Sequence, residues 1–301
     1  MTAGRGKALP SMQFFEPTSV EAAISLLATH DDAHCLAGGA TLVALMNAGL
    51  VEPAALISLQ HIETLRGIER GDDGVVTIGA MTRHEETAAS NLFYEGQAIV
   101  PAAARQIANM VVRNMGTMGG SIAFADPAAD YPCALIAAGA EIEITNAAGA
   151  RWLPVADICV DWYETVLDQG ELVTRIRIPP APAGSVSHYE KLARVSGDFA
   201  VVSVALILAF EGAVCSAAQV AVGGCGPWPL RLAEVESMLV GSALDEKIIA
   251  AAGGLLVAAS DPVDDVRGSA EYRRQVIPRL LAKSIALARS DALAQSDREA
   301  V

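Results

Sequence analysis

Two short glycine-rich segments contain the residue types best suited to binding an anion. The first glycine loop, residues 36–41, reads Leu-Ala-Gly-Gly-Ala-Thr, and the second glycine loop, residues 116–121, reads Gly-Thr-Met-Gly-Gly-Ser. Paired glycines let the backbone approach a ligand closely and adopt positive φ, so that successive N–H groups can point at one anion. Together the loops could bind one pyrophosphate, although each Gly-Gly pair also fits a tight turn.

Neither loop has a common nucleotide-binding fingerprint. No lysine follows the glycines as in a P-loop, and neither loop has the spacing G-x-G-x-x-G. The five cysteines are scattered without any C-x-x-C pair, at Cys35, Cys133, Cys159, Cys215 and Cys225. We therefore expect no iron–sulfur cluster and no metal site within this chain. A cluster that exchanges electrons with it would lie on another chain.

Composition limits the classes of protein to which the chain can belong. Its 301 residues are enough for two domains, each with its own core. A net charge of −14 argues against a nucleic-acid-binding surface, which needs a basic face. The longest apolar segment, 199–210, is shorter than the about 20 residues that cross a bilayer, and residues 1–11 lack the apolar stretch of a secretory signal. These features predict a cytoplasmic protein.

The elements that must position the two loops can be predicted from local patterns. Thr18 and Glu21 form a capping-box pattern that predicts a helix over 22–27. The first loop follows a predicted strand, and an alanine-rich helix leads into the second. Alternating apolar residues and a Gly-Asp-Asp-Gly turn predict further strands. The strands predicted in this half of the chain cover 34–37, 54–59, 65–69, 75–80, 140–145 and 172–178, and the helix covers 97–108.

A proline-rich segment, residues 179–184, reads Pro-Pro-Ala-Pro-Ala-Gly and predicts a linker, because proline stops both helices and central strands. We therefore expect one domain over 10–180 and a second over 185–292. The second domain is predicted to have strands followed by helices, an α+β arrangement with an antiparallel sheet. Its strands are expected over 186–192, 200–210 and 217–222, and its helices over 231–239, 247–259 and 270–287.

The motifs also resemble a known family. Residues 113–121, Arg-Asn-Met-Gly-Thr-Met-Gly-Gly-Ser, with residues 125–130, Ala-Asp-Pro-Ala-Ala-Asp, resemble the second flavin loop of the FAD-binding medium subunit of molybdenum hydroxylases. That family includes the carbon monoxide dehydrogenase medium subunit and the flavin domain of xanthine dehydrogenase. Residues 37–42 resemble its first loop. The resemblance continues in order past the linker, through residues 189–191, 197–200, 267–269 and 272–273.

This resemblance implies a fold and a set of FAD-binding residues. The fold would be α+β, with a two-subdomain α/β FAD-binding domain of the PCMH type and a smaller C-terminal α+β domain. Both glycine loops would hold the pyrophosphate through their backbones, Asp130 would accept a hydrogen bond from a sugar hydroxyl, and Lys191 would contact the flavin ring. We add Phe199 as a residue that packs on the ring. The full set is Ala37, Gly38, Gly39, Ala40, Thr41, Leu42, Ile107, Thr117, Met118, Gly119, Gly120, Ser121, Asp130, Val173, Lys191 and Phe199.

Three of these residues also fit ordinary structural roles. Lys191 could be a solvated charge on a strand, Phe199 could begin a buried apolar run, and Asp130 could cap a helix. The chain also departs from the family pattern, with Ala40-Thr41 where His-Ser or Gln-Ser is frequent. Asn109 and Met115 stand where His and Arg are common. We expect FAD binding to survive these changes, because the implied contacts come mainly from the backbone.

The resemblance implies an electron-transfer role rather than acid–base catalysis, so no catalytic residue is predicted. FAD on this chain would accept electrons from a small iron–sulfur subunit. A large molybdopterin subunit would oxidise the substrate. The resemblance implies a dimer of heterotrimers, with the molybdopterin and the [2Fe–2S] clusters on the partner subunits. Two alternatives stay open: a self-sufficient FAD-dependent oxidase or reductase, and a flavin-free assembly scaffold. No His or Cys is placed to tether a flavin and no substrate domain is added, which disfavours the first alternative.

Overall fold

The computed structural model describes residues 12–299 and begins with a 3-stranded parallel sheet in the order β1-β3-β2. Residues 1–11, for which the sequence predicts no secretory signal, lie outside the described residues. Helix α1 packs its apolar face, which includes Ile24 and Leu27, in the same core cluster as Ile57 of the sheet. The elements of this unit are β1 (Gln13–Phe15), α1 (Val20–Thr29), β2 (Ala33–Leu36), α2 (Leu42–Asn47) and β3 (Ala55–Ser58).

A 5-stranded antiparallel sheet follows, in the order β4-β5-β10-β6-β7. Most of its helices lie between β5 and β6 along the chain, and β8 and β9 form a separate small hairpin. The elements are β4 (Ile68–Arg70), β5 (Val76–Gly79), α3 (His84–Ala89), α4 (Ile99–Gln106), α5 (Met110–Arg113), α6 (Met118–Phe124), α7 (Asp130–Ala137), β6 (Glu141–Asn146), β7 (Gly149–Pro154), β8 (Cys159–Asp161), β9 (Glu164–Thr165) and β10 (Leu172–Ile178).

The C-terminal part is a 4-stranded antiparallel sheet in the order β11-β12-β13-β14, with three helices after it. One of its two central strands, β12, is buried along most of its length, because alternate side chains such as Leu206 and Ile207 lie in different apolar clusters on the two faces of the sheet. The elements are β11 (Val186–Leu192), β12 (Val202–Glu211), β13 (Val214–Gly223), β14 (Leu230–Arg231), α8 (Ala233–Leu239), α9 (Glu246–Ala259) and α10 (Ala270–Glu299).

Helix α7 lies between the 5-stranded and the 4-stranded sheets, and every one of its residues is buried. One continuous apolar cluster joins Leu135 of this helix to Ile142 and Ile176 on one side and to Ala205 and Ile207 on the other. Apolar side chains surround this helix after its first residue, and such a helix is stable here because both of its faces are covered. Consequently the first residue of the helix, Asp130, is also held between the two sheets.

The predicted α+β fold, with a C-terminal antiparallel sheet and helices, is confirmed. The capping prediction at Thr18 is wrong by one residue, since the hydroxyl of Ser19 accepts the hydrogen bond from the Ala22 amide at 3.2 Å. The short strands β1, β7, β8, β9 and β14 were not predicted from the sequence. Within residues 12–299, no helix has the length and apolar character needed to span a membrane.

Candidate functional site

The two glycine loops, far apart in sequence, touch each other in the structure. The first loop follows β2, and the second follows α5. A Cβ atom added to Gly38 would lie 1.7 Å from the carbonyl oxygen of Met115, so only glycine permits this approach. Gly39 has a φ of +76°, in the left-handed region that favours glycine. The first Gly-Gly pair therefore makes a turn and also brings the loops together.

A cavity of about 630 Å³ opens beside the loops, a size within the range of roughly 300–1,000 Å³ that is usual for small-molecule and cofactor sites. Of the predicted site residues, two do not line it. Met118 is fully buried in the apolar core, and Lys191 lies behind a residue that does line the cavity. The lining residues from the predicted set are Ala37, Gly38, Gly39, Ala40, Thr41, Leu42, Ile107, Thr117, Gly119, Gly120, Ser121, Asp130, Val173 and Phe199.

The first loop offers unused hydrogen-bond donors. Within residues 12–299, the backbone amides of residues 37–42 have no acceptor from the protein, whereas the Val43 amide donates to the Gly39 carbonyl at 3.1 Å. Several amides without acceptors at one turn can converge on a single anion. The arrangement of the first loop therefore fits a phosphate-containing ligand.

The second loop differs, because its amides already have partners. The Met118 amide donates to the Thr82 carbonyl at 3.0 Å, and the Gly119 amide donates to the Ala80 carbonyl at 2.8 Å. The Gly120 amide donates to the hydroxyl oxygen of Thr117 at 3.2 Å. Binding of a ligand through the backbone amides of this loop therefore stays a prediction. The loop forms a wall of the cavity.

Asp130 places a buried carboxylate at the cavity wall. Its Oδ1 accepts a hydrogen bond from the Tyr189 hydroxyl at 2.7 Å, and its Oδ2 accepts one from Lys191 Nζ at 3.1 Å. Burial raises the pKa of Asp130, and the charge of Lys191 opposes that shift. Ala129 is the N-cap of α7, so Asp130 is not the helix cap that the sequence also allowed.

Lys191 is buried rather than solvated. Its side chain is 3% exposed, and its ammonium group donates both to Asp130 and to the Gln106 carbonyl, the latter at 2.7 Å. The Gln106 side chain in turn donates to the Tyr189 carbonyl at 3.0 Å. These contacts tie β11 of the C-terminal sheet to the end of α4 and the start of α7. Lys191 thus neutralises the carboxylate that lines the cavity without lining it itself.

Part of the cavity wall is formed by Ile107, Ala108 and Phe199. Ala108 has a φ of +44°, and a Cβ added to Gly197 would lie 2.5 Å from its carbonyl oxygen, so the 197–199 segment packs closely on this turn. Phe199 is 42% exposed, which excludes an ordinary core position. The Arg267 guanidinium lies over its ring, 5.0 Å from the centroid. An aromatic face at a cavity wall can stack on a planar ligand.

A second cavity of about 450 Å³ shares part of its wall with the first. Leu172 and Val173, at the start of β10, line both cavities, as do His34 and Cys35 from β2. The two cavities therefore adjoin at β2 and the start of β10.

His84 lines the cavity, although the sequence gave no reason to assign it a role. Its ring is 6% exposed, packs edge-on against Tyr131 at 5.2 Å between centroids, and has no hydrogen-bond partner at Nδ1 within residues 12–299. Burial, with a smaller contribution from the Arg113 charge, lowers the pKa of His84 to about 4. Its position depends on contact with Gly116, more than 30 residues later, so no local signal could have revealed it.

Asp126 is a second buried carboxylate at the cavity wall that sequence reasoning did not assign. Its Oδ1 accepts a hydrogen bond from the Ala128 amide at 2.8 Å, and burial raises its pKa. Elsewhere in the part of the chain that the structure describes, no group of three or more His, Cys, Asp or Glu residues could hold a metal ion. The site is thus built from amides, apolar walls and two carboxylates.

Comparison with protein families gives two matches that together span most of the chain. The model of the FAD binding domain in molybdopterin dehydrogenase matches residues 10–181. The model of the CO dehydrogenase flavoprotein C-terminal domain matches residues 187–288.

Individual proteins are similar to the chain over nearly its whole length. The 6-hydroxypseudooxynicotine dehydrogenase complex subunit alpha of Paenarthrobacter nicotinovorans is 36% identical over 281 residues, which cover 93% of this chain and 95% of the relative. The carbon monoxide dehydrogenase medium chain of Afipia carboxidovorans is 36% identical over 284 residues, covering 94% and 98%. The structure of reconstituted CO dehydrogenase from Oligotropha carboxidovorans matches with a TM-score of 0.89 and 35% identity, covering 94% of this chain and 99% of that chain.

Proposed function

Because this chain belongs to the FAD-binding medium subunits of molybdenum hydroxylases, we propose that it carries electrons from an iron–sulfur subunit to an external acceptor. The chain is an oxidoreductase subunit, and FAD is its cofactor. FAD supplies the redox chemistry when it is bound, and the protein supplies position and electrostatics. The acceptor-free amides of the first glycine loop are the observation on which this proposal mainly depends.

The contacts of the cavity support a particular orientation for the cofactor. The amides of residues 37–42 would hold the pyrophosphate, which is the anionic part of FAD. Ile107 and Phe199 would border the flavin ring, and the part of the wall at Leu172 and Val173 would border the adenosine end. Asp130, whose carboxylate already accepts a hydrogen bond from Lys191, would accept another from a hydroxyl group of the cofactor.

None of these residues is proposed to transfer a proton during catalysis. The chain's residues bind and orient the flavin, exclude water from one side of it, and fix the charge next to it. The ion pair of Asp130 and Lys191 is buried, so it places opposite charges near the cofactor with little screening by water. Its effect would therefore be on the affinity for FAD and on the reduction potential.

The chain acts as one subunit of a larger complex, as the words "medium chain" and "complex subunit" say of its relatives. The proposed partners are a small iron–sulfur subunit and a large molybdopterin subunit, arranged as a dimer of heterotrimers. We also propose that the chain divides into a FAD-binding domain over 10–180 and a C-terminal domain over 185–292. The C-terminal domain would then contribute Tyr189 and Lys191 to the site.

Equilibrium titration of the FAD-depleted chain with FAD tests the binding site. Gly38→Ala should weaken FAD binding at least about tenfold, because the new Cβ would force the first loop away from Met115 and displace its amides. Gly254→Ala is the matched control, since an added Cβ there meets no atom within 4 Å. Thermal unfolding of both FAD-free variants separates loss of binding from loss of folding.

Two outcomes would overturn the proposal. The first is a purified complex without the absorbance bands of a flavin. The second is a Gly38→Ala chain that folds and binds FAD as tightly as the wild type. The electron-transfer role is tested separately, by following flavin reduction in the intact complex after substrate is added. A flavin that stays oxidised while the partner clusters are reduced would contradict that role.

A further inference from the structure

The imidazole of His84 lines the cofactor cavity without a hydrogen-bond partner from the protein. The residue is only 6% exposed, and Nδ1 has no partner within residues 12–299. No hydrogen bond joins Nε2 to this described part of the chain either. A buried polar group without a partner costs free energy, and nearly all such groups in proteins are paired. An unpaired imidazole in a cavity wall therefore indicates that a ligand supplies the partner.

Contacts with the second glycine loop hold this ring where the two loops meet. The His84 amide donates to the Gly116 carbonyl at 3.1 Å, and Arg83 forms a β-bridge with Thr117. A Cβ added to Gly116 would lie 2.4 Å from Nε2, which is the ring atom nearest to it. A Cβ added to Gly38 would lie 3.0 Å from the Gly116 Cα. Gly116 thus contacts both the imidazole and the first loop, whose amides lack protein acceptors.

The surroundings of His84 keep the ring neutral in the FAD-free chain. Burial, with a smaller contribution from the Arg113 charge, lowers the pKa of His84 to about 4. Glu85, the next residue, is paired with Arg113 at 2.7 Å, and Tyr131 packs its ring against the imidazole. A neutral imidazole has one N–H, at either Nδ1 or Nε2. An acceptor placed next to Nε2 therefore selects the form that is protonated there.

We propose that His84 donates its Nε2–H to a phosphate oxygen of FAD, an inference that rests on the proposed function. The pyrophosphate is the anionic part of the cofactor, and the first-loop amides assigned to it lie next to Gly116. A hydrogen bond to an ionised acceptor is roughly twice as strong as one between neutral groups. The wall formed by the second loop thereby gains a donor, although the amides of Met118 and Gly119 have partners within the protein.

Equilibrium titration of FAD-depleted variants with FAD tests this role. His84→Leu removes both nitrogens and should raise the Kd for FAD at least about tenfold, because a hydrogen bond to a charged acceptor is lost. His84→Gln places an amide N–H near the position of Nε2, so its Kd should stay within about threefold of the wild-type value. His61→Leu is the control, at a half-exposed histidine that does not line the cavity.

Nitrogen NMR of the chain labelled at its five histidines locates the proton directly. The signals of His84 are assigned by their loss in the His84→Gln variant. In the FAD complex of the wild type, Nε2 of His84 should carry a proton. This measurement needs no variant that could fail to fold on loss of the ring, so it decides the matter even if His84→Leu is unstable.

The inference is supported if His84→Leu loses affinity, His84→Gln keeps it, and thermal unfolding shows that both FAD-free variants fold. It is overturned if the folded His84→Leu variant binds FAD as tightly as the wild type. Equal losses in the two folded variants would also overturn it, because the shape of the ring rather than its donor would then matter. An unprotonated Nε2 in the FAD complex has the same consequence. A wild-type chain that binds no FAD would instead contradict the proposed function.

Discussion

The first and second glycine loops both contain a Gly-Gly pair, yet only the first keeps its amides free of protein acceptors. In the second loop, the carbonyls of Ala80 and Thr82 accept hydrogen bonds from the amides of Met118 and Gly119. The first loop is thus arranged to bind a ligand, and the second is packed as part of the framework. Similar local sequences differ in role because distant residues supply acceptors to one and not to the other.

The largest expected effect of a single substitution is at the packed loop. A Cβ added to Gly119 would lie 2.5 Å from the Ala80 Cβ and 2.9 Å from its carbonyl oxygen. Gly119→Ala should therefore lower the free energy of unfolding by about 3 kcal/mol, measured by urea denaturation of the FAD-free chain. Gly254→Ala should not lower it, because that position is open. Equal midpoints for the Gly119→Ala variant and the wild type would contradict the framework role of the second loop.

The second loop should also confer sensitivity to acid, through His84 beneath Gly116. The pKa of His84 is about 4 in the folded chain, against 6.5 for an ordinary histidine, so the unfolded state binds more protons between these values. Stability due to this group is therefore lost as the pH falls. From about pH 7 to about pH 5 the loss should be about 2 kcal/mol.

Urea denaturation at several pH values measures this effect. Between about pH 7 and about pH 5, the His84→Gln variant should lose about 2 kcal/mol less stability than the wild type. A change in stability that is the same at every pH does not affect this comparison. His61→Gln makes the same substitution at a histidine whose side chain is 53% exposed, as a control for the change of residue type. If the wild type and the His84→Gln variant lose stability in parallel, the histidine is not held neutral in the folded protein.

Sequence reasoning identified the fold class and the two glycine loops of the cavity wall, because both loops and the linker have local signatures. The division of roles between the loops could not be predicted. It depends on where Ala80 and Thr82 place their carbonyls, and no pattern in the loop sequence specifies this. The placement of Lys191 has the same cause, since its partner Asp130 lies 61 residues earlier in the chain.

Where the sequence allowed two interpretations of a residue, its burial in the structure distinguishes between them. The apolar residues after Phe199 are compatible with either a buried or an exposed position for its ring. Only the packing of the 197–199 segment on Ala108 distinguishes these two positions. His84 had no signal at all, because its environment comes from Gly116 and Tyr131. Short edge strands such as β14 (Leu230–Arg231) were missed because two residues are too few to show alternation.

A smaller effect is expected at the carboxylate across from the first loop. Tyr189→Phe removes the hydroxyl that donates to Asp130 and leaves a buried carboxylate oxygen with fewer donors. Stability should fall by about 1.5 kcal/mol, and the pKa of Asp130 should rise further. FAD affinity should then decrease as the pH is lowered, more steeply than in the wild type. Tyr94→Phe, at an exposed tyrosine, is the control. An unchanged pH profile of FAD binding would mean that Tyr189 has only a packing role.

The smallest effect should come from the ring of Phe199, which belongs to neither loop. Phe199→Ala should weaken FAD binding about tenfold through loss of stacking, without a change in the urea midpoint, because the side chain is already 42% exposed. Phe14→Ala, at a similarly exposed phenylalanine on β1, should change neither quantity. Combined with Gly38→Ala, this variant measures how binding is divided between the first loop and the ring end. Additive losses would mean that the two ends bind independently, whereas no loss at Phe199 would leave the first loop as the main determinant of affinity.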